Sequence, residues 1–199
     1  MYIKKERTLV LLKPDAVQRS LVGEIISRFE RVGLKIVGLK FIAPDEKRAY
    51  DHYVKNEDEI RALGERSIEG KKKAGMDVDG EDPRALGEKI INGLVSFLTS
   101  GPVVAIAIEG HQAIKIVRKL VGSTEPLNSD VGTIRGDFTV DSYQIADADS
   151  RAVRNLVHAS SNEFEAEYEL KLWFDESELV SYRNARDAVL YDVVWKKDA

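Results

Sequence analysis

The chain has 199 residues, 43% of them hydrophobic, a formal net charge of -4 and no cysteine. That is enough apolar material for one core, while the acidic balance argues against a general nucleic-acid binder and the absent thiols exclude disulfides, thiolate zinc sites and cysteine nucleophiles. No apolar stretch approaches the roughly 20 residues that a bilayer requires, so a soluble, unexported, cytoplasmic chain is expected, with any positive site local.

Thr8 to Leu12 (TLVLL) reads as a buried strand stopped by Pro14, which has no N–H to give, and this sets Lys13 at the strand's end. Apolar residues from Leu21 to Val32 recur at helical spacing, with Gly33 placed to end the helix in a left-handed conformation. Leu34 to Phe41 reads as a strand covered on both faces, and a short helix follows from about Pro44 to Val54. From about Lys55 to Asp82 the chain is dense in charge and dotted with glycine, a composition that adds little core. Asp82-Pro83 starts a helix whose apolar face runs from Leu86 to Leu98, and VVAIAI from Val103 to Ile108 is a central strand. A helix from about His111 to Val121 closes at Gly122. Ser123 to Asp137 is a functional-loop candidate, and after a polar stretch NLVH (Asn155–His158) reads as strand, followed by a helix from about Asn162 to Leu172. Strands and helices mixed on one core predict an α/β or α+β sandwich of the ferredoxin-like kind, a βαββαβ core with an antiparallel sheet.

Only three histidines are present. His52 and His111 have bland contexts and read as structural or solvent-facing. His158 closes the strand-like NLVH and is followed by the small residues Ala159, Ser160 and Ser161, which leave a ring accessible on a fixed backbone.

The segment NLVHAS, preceded by GTIRGDF and far upstream by KPDAV, resembles the active-site pattern of the nucleoside diphosphate kinases. The likeness covers about Arg7 to Tyr53 and Ile90 to Phe138, and resumes from Arg154 to about Tyr182. It implies one domain over 1–199, with insertions at about 56–89 and 139–152. It further implies exchange of the γ-phosphate between a nucleoside triphosphate, such as ATP, and a diphosphate, with ping-pong kinetics through phosphorylated His158. Neutral imidazole is a good nucleophile near pH 7, and its phosphoramidate is labile enough to pass the group on.

By the same resemblance, the positions around the phosphates are Lys13, Tyr53, Arg118, Thr124, Arg135 and Asn155. Glu169, with Ser160 beside it, would hold the unreacted nitrogen of His158. Magnesium is implied as a passenger on the nucleotide phosphates, and a homo-oligomer, a hexamer of the trimer-of-dimers type, is implied by the loop Ser123 to Gly132 with Pro126. Ile90 stands where many members stack an aromatic on the base, and Val121 is expected as the opposing apolar surface.

The first insertion reads as a lid or as a solvated excursion, and its charge runs favour the excursion. Its GERSIEGKK (Gly64–Lys72) is not a P-loop: five residues separate the glycines and no Ser or Thr follows Lys71. Two other functions stay open, a catalytically silent scaffold and a histidine phosphatase or phosphocarrier.

Overall fold

The protein is described by a computed structural model over residues 5–73 and 75–192. Four strands form one antiparallel sheet: β1 (Lys5–Leu12), β2 (Lys35–Ile42), β3 (Val103–His111) and β4 (Val157–Ala159), in the order β2-β3-β1-β4. With α1 (Pro14–Gln18) and α2 (Val22–Arg31) after β1, and α6 (Ala113–Val121) between β3 and β4, this is the ferredoxin-like α+β core. Between β2 and β3 stand α3 (Glu46–Tyr53), α4 (Glu57–Lys73) and α5 (Pro83–Leu98). α7 (Ile134–Phe138) and α8 (Tyr143–Ala148) precede β4, and α9 (Glu163–Trp173) and α10 (Ala185–Tyr191) follow it.

The apolar run of β1 is continuous because both sheet faces are covered. Val10 and Leu12 pack with Ile25, Phe29 and Val117 under α2 and α6, while Leu9 and Leu11 pack with Ala49, Leu98 and Trp173 under α3, α5 and α9. Full burial of each such side chain is worth about 1.5–3 kcal/mol. Gly33 has φ +92 and ends α2 in the left-handed conformation expected of it. Asp82 caps α5 by accepting hydrogen bonds from the Arg84 and Ala85 N–H groups.

Three expectations need correction. β2 is not covered on both faces: it is an edge strand, and Leu39 and Phe41 are exposed. His111 lies at the end of β3, not at a helix start. The charged first insertion contains a 17-residue helix, α4, with acidic residues in its first turn and Lys71 to Lys73 in its last, a distribution that favours a helix through its macrodipole. α4 packs tightly on α5, because a Cβ on Gly64 would lie 1.7 Å from the Pro83 carbonyl oxygen and one on Gly87 would lie 1.9 Å from that of Ile60. The glycines that look like loop punctuation are the contact points of two helices. Only Ile60 and Gly64 of α4 are buried, so the segment does add little core. Gly64 to Lys72 is helical, in keeping with the rejection of a P-loop there.

The stretch 139–152 is tied to the segments on either side of it: the Tyr143 N–H donates to Glu125, the Leu127 N–H to the Asp141 carbonyl and the Thr139 hydroxyl to the Arg154 carbonyl. Asp141 accepts two hydrogen bonds from the Arg151 guanidinium, at 2.7 and 2.9 Å, and one from the Arg154 N–H at 2.6 Å. Among the described residues no helix is long and apolar enough to cross a membrane.

Candidate active site

The ends of β1 and β4 bring KPDAV and NLVHAS together. Leu11 pairs with His158 and Leu12 with Val157, and the Lys13 N–H donates to the Leu156 carbonyl at 2.8 Å. The strand is shorter than the sequence suggests. Val157 N–H donates to the Asn155 carbonyl at 2.7 Å around Leu156, whose φ is +65, so Asn155 to Val157 form a γ-turn and His158 is the middle residue of a three-residue strand. Such a conformation costs a leucine about 1–3 kcal/mol and persists because the surroundings over-determine it. Asp15 accepts the Leu156 N–H at 3.0 Å, and the Arg135 guanidinium donates to the carbonyls of Asn155, Val157, Gly122 and Ser123.

His158 keeps 21% of its side chain exposed. Its Nε2 lies 2.8 Å from Glu169 Oε2, the same oxygen that accepts the Ser160 hydroxyl at 2.6 Å. Glu169, on α9, is fully buried. Burial alone would raise its pKa, but the charge and hydrogen bond of His158 outweigh it, helped by His52 and Ser160, and hold the carboxyl at about 2. As an anion Glu169 only accepts, so in the neutral form of His158 the ring proton sits on Nε2 and the Nδ1 lone pair is bare.

Lys13 is buried, and its Nζ donates to Asn155 Oδ1 at 2.8 Å, while Asn155 Nδ2 donates to the Thr124 carbonyl at 2.8 Å. Burial, then the nearby Arg135, lower the Lys13 pKa to about 8. Arg135 is pulled to about 10 by burial and by Arg118. Four of its five N–H groups are engaged by backbone carbonyls, so it organises the loop as much as it offers charge. Arg118 is exposed on α6 and touches the Ala159 carbonyl at 3.4 Å. The Tyr53 hydroxyl is buried without a hydrogen-bond partner among the described residues, and burial raises its pKa. A buried orphan hydroxyl is expensive and marks a place for a polar ligand atom.

Ile90 is half-buried on α5, outside this hydrogen-bonded cluster. Val121 is only 2% exposed and packs in the core under the sheet, which removes it as a base contact.

Four residues absent from the expected set complete the cluster: Asp15, Trp173, His52 and Lys55. His52 is buried, with its ring centroid 4.2 Å from that of His158 in a T-shaped contact, and Trp173 Nε1–H donates to its Nδ1 at 3.4 Å. Burial, then the His158 charge, hold its pKa well below the ordinary value, so it stays neutral. Lys55 Nζ lies 3.3 Å from Glu169 Oε1, an ion pair inside the protein. Neither His52 nor Lys55 carried a signal in the sequence: His52 has a bland context beside Tyr53, and Lys55 lies inside a charge run.

His52, His158 and Glu169 offer donor atoms within 4.8 Å of one another. With Trp173 donating to Nδ1, neutral His52 carries its proton on Nε2, which finds no hydrogen-bond partner among the described residues, while Glu169 faces His158 and Ser160 through Oε2 and Lys55 through Oε1.

A family model described as nucleoside diphosphate kinase matches residues 6–62 and 84–179, and the unmatched 63–83 falls inside the first expected insertion. A nucleoside diphosphate kinase of Pyrobaculum aerophilum is 45% identical over 179 residues, covering 88% of this chain and 98% of the relative. One of Pyrococcus abyssi is 40% identical, covering 92% and 93%. Among solved structures, an NDP kinase from Pyrobaculum aerophilum superposes with a TM-score of 0.84 at 42% identity, over 89% of this chain and all of that one. A transition-state mimic of the Borrelia burgdorferi enzyme with bound vanadate and ADP gives 0.77 at 34% identity, over 93% and 96%. Shared sequence over nearly the full length of these relatives, on the same antiparallel frame, makes this chain a member of the nucleoside diphosphate kinase family.

Proposed function

We propose that this chain transfers the γ-phosphate of a nucleoside triphosphate to a nucleoside diphosphate through a phosphohistidine on His158. The observation that carries the reading is the Nε2 contact with ionised Glu169, which leaves Nδ1 as the nucleophilic nitrogen. In the first half-reaction the Nδ1 lone pair attacks the γ-phosphorus, and the bond to the bridging oxygen breaks with its electron pair leaving on the diphosphate. In the second, a terminal oxygen of another diphosphate attacks the phosphorus and the electron pair of the P–N bond returns to Nδ1. Glu169 and Ser160 keep the ring in place through both steps.

Lys13, Arg118 and the remaining N–H of Arg135 neutralise the phosphate oxygens, which is where most of the barrier to phosphoryl transfer is lowered. Tyr53, Asn155 and Thr124 hydrogen-bond phosphate or ribose, and Ile90 gives the base an aliphatic wall. Magnesium suits this site as part of the nucleotide: the groups converging on the phosphates are cationic, and the buried histidine-rich cluster is not the oxygen cage that magnesium prefers. When bound on the phosphates it spreads their charge.

We read the whole chain as one domain, placed in the cytoplasm, and the protein as a homo-oligomer, a hexamer of the trimer-of-dimers type. Leu39 and Phe41 on the edge strand, and Leu127 and Val131 in the 123–132 loop, are exposed apolar groups of the kind such interfaces cover.

Incubation with γ-labelled ATP and a chase with GDP test the function. Acid-labile label that moves to GDP, and is absent in His158→Ala, is expected. No label on the wild type sinks the proposal, and label passing to water instead of GDP favours a phosphatase.

A further inference from the structure

We infer that Lys55 is a positioning residue for the nucleophile: by holding the second oxygen of Glu169 it fixes that carboxylate and offsets its charge, keeping His158 neutral for attack. This deepens the proposed function and rests on His158 being the nucleophile.

The Glu169 carboxylate has no exposed surface, and its two oxygens are divided. Oε2 takes His158 and Ser160, and Oε1 lies 3.3 Å from Lys55 Nζ as an ion pair and accepts no hydrogen bond among the described residues. A buried carboxylate whose charge is shared with an imidazole alone stabilises imidazolium and so removes the lone pair that the reaction needs. An ammonium on the far oxygen neutralises the carboxylate while leaving its near oxygen free to accept Nε2–H. The Lys55 side chain is 8% exposed, so solvent screens the pair little.

The position of Lys55 is itself fixed. Val54 N–H donates to the Tyr50 carbonyl at the end of α3, the Lys55 N–H donates to Glu59 of the inserted helix α4 at 2.9 Å, and the Tyr168 hydroxyl of α9 donates to the Asp51 carbonyl. The residue just before the insertion therefore reaches into the site, and the helix that follows holds its backbone.

Other titratable and charged groups stand in the same site. They are Lys13 after β1, His52 on α3, Arg118 on α6, Arg135 on α7 and Glu169 on α9, with the Tyr53 hydroxyl at the end of α3. None of these cations forms an ion pair with Glu169; Lys55 does.

The test is the pH dependence of single-turnover phosphorylation by γ-labelled ATP in wild type, Lys55→Met, Lys55→Arg, Glu169→Gln and the double variant Lys55→Met/Glu169→Gln. Lys55→Met should move the acid limb upward by roughly one pH unit, so that the rate falls by roughly tenfold at pH 6 and recovers by pH 8.5, with the ADP dissociation constant unchanged. Lys55→Arg should restore the wild-type limb. In the Glu169→Gln background the Lys55 substitution should no longer move it. A raised ADP dissociation constant with an unmoved limb would make Lys55 a nucleotide contact and overturn the inference. So would an equal shift in the Glu169→Gln background, or a Lys55→Met protein that is less stable but has a wild-type profile. If Lys55→Met does not fold, Lys55→Gln, which keeps the length and loses the charge, must show the same shift. Wild type that takes no label refutes the proposed function; labelled wild type with no shift refutes only the role of Lys55.

Discussion

The two ends of the proposed nucleotide site are built differently. At the phosphate end, Lys13, Asn155, Arg135, His158, Ser160 and Glu169 interlock through buried hydrogen bonds around a strained γ-turn, so each side chain has one place to be. At the base end, a half-buried Ile90 stands on α5, beside an inserted helix that is mostly charged and exposed. Chemistry on phosphorus needs fixed charges, while a base can be held by any apolar wall; rigidity is concentrated where position matters.

The largest expected effect breaks the phosphate end. Arg135→Met strands four carbonyls and releases the γ-turn, and should cost about 3–5 kcal/mol in urea unfolding. A loss below about 1 kcal/mol would mean that the turn is held by Asp15 and the strand pairing alone.

Next comes the helix contact at the base end. Gly64→Ala cannot be accommodated without parting α4 from α5, and about 2–3 kcal/mol of destabilisation is expected. If α4 also covers the base, the KM for nucleotides rises in the same variant; an unchanged KM makes it a solvated excursion.

The third prediction follows from Lys13. In the free protein its ammonium is lost as pH rises through about 8, so ADP affinity should fall by about tenfold between pH 7 and pH 9, and Lys13→Arg should flatten the profile. Stability moves the other way. The unfolded chain keeps this proton up to about 10.5, so between about 8 and about 10.5 the unfolded state binds more protons and the folded state gains stability. A flat binding profile in wild type would show that the burial of Lys13 is not sensed by the nucleotide.

The smallest effect sharpens the base end. Ile90→Phe should lower the KM for nucleotides by about fivefold through stacking on the base, and an unchanged KM would remove Ile90 from the site.

Much of this architecture was legible in the sequence because it rests on local signals. TLVLL, VVAIAI and the periodic helices announced the sheet and its cover, and KPDAV, GTIRGDF and NLVHAS supplied an ordered set of polar residues that the sheet brings together. What was hidden depends on contacts between distant segments. Gly64 and Gly87 look like loop residues until the two helices meet across them. Asn155 and Leu156 look like strand until Asp15 and Arg135 bend them into a γ-turn. Lys55 sits in a charge run most of whose other charged members face solvent, and only the fold sets it against Glu169. His52 is similar: its sequence context is bland, and its packing on His158 is purely tertiary.

That contact also defines the most direct measurement. The centroids of two imidazoles lie 4.2 Å apart, and of the two only His158 has partial exposure and the Glu169 contact, while His52 is buried with its Nδ1 accepting from Trp173. Tandem mass spectrometry of the ATP-treated protein, digested at neutral to alkaline pH to preserve phosphoramidates, should place a single phosphate on His158. Phosphate on His52, or on no histidine at all while GDP is still converted to GTP, would contradict the account.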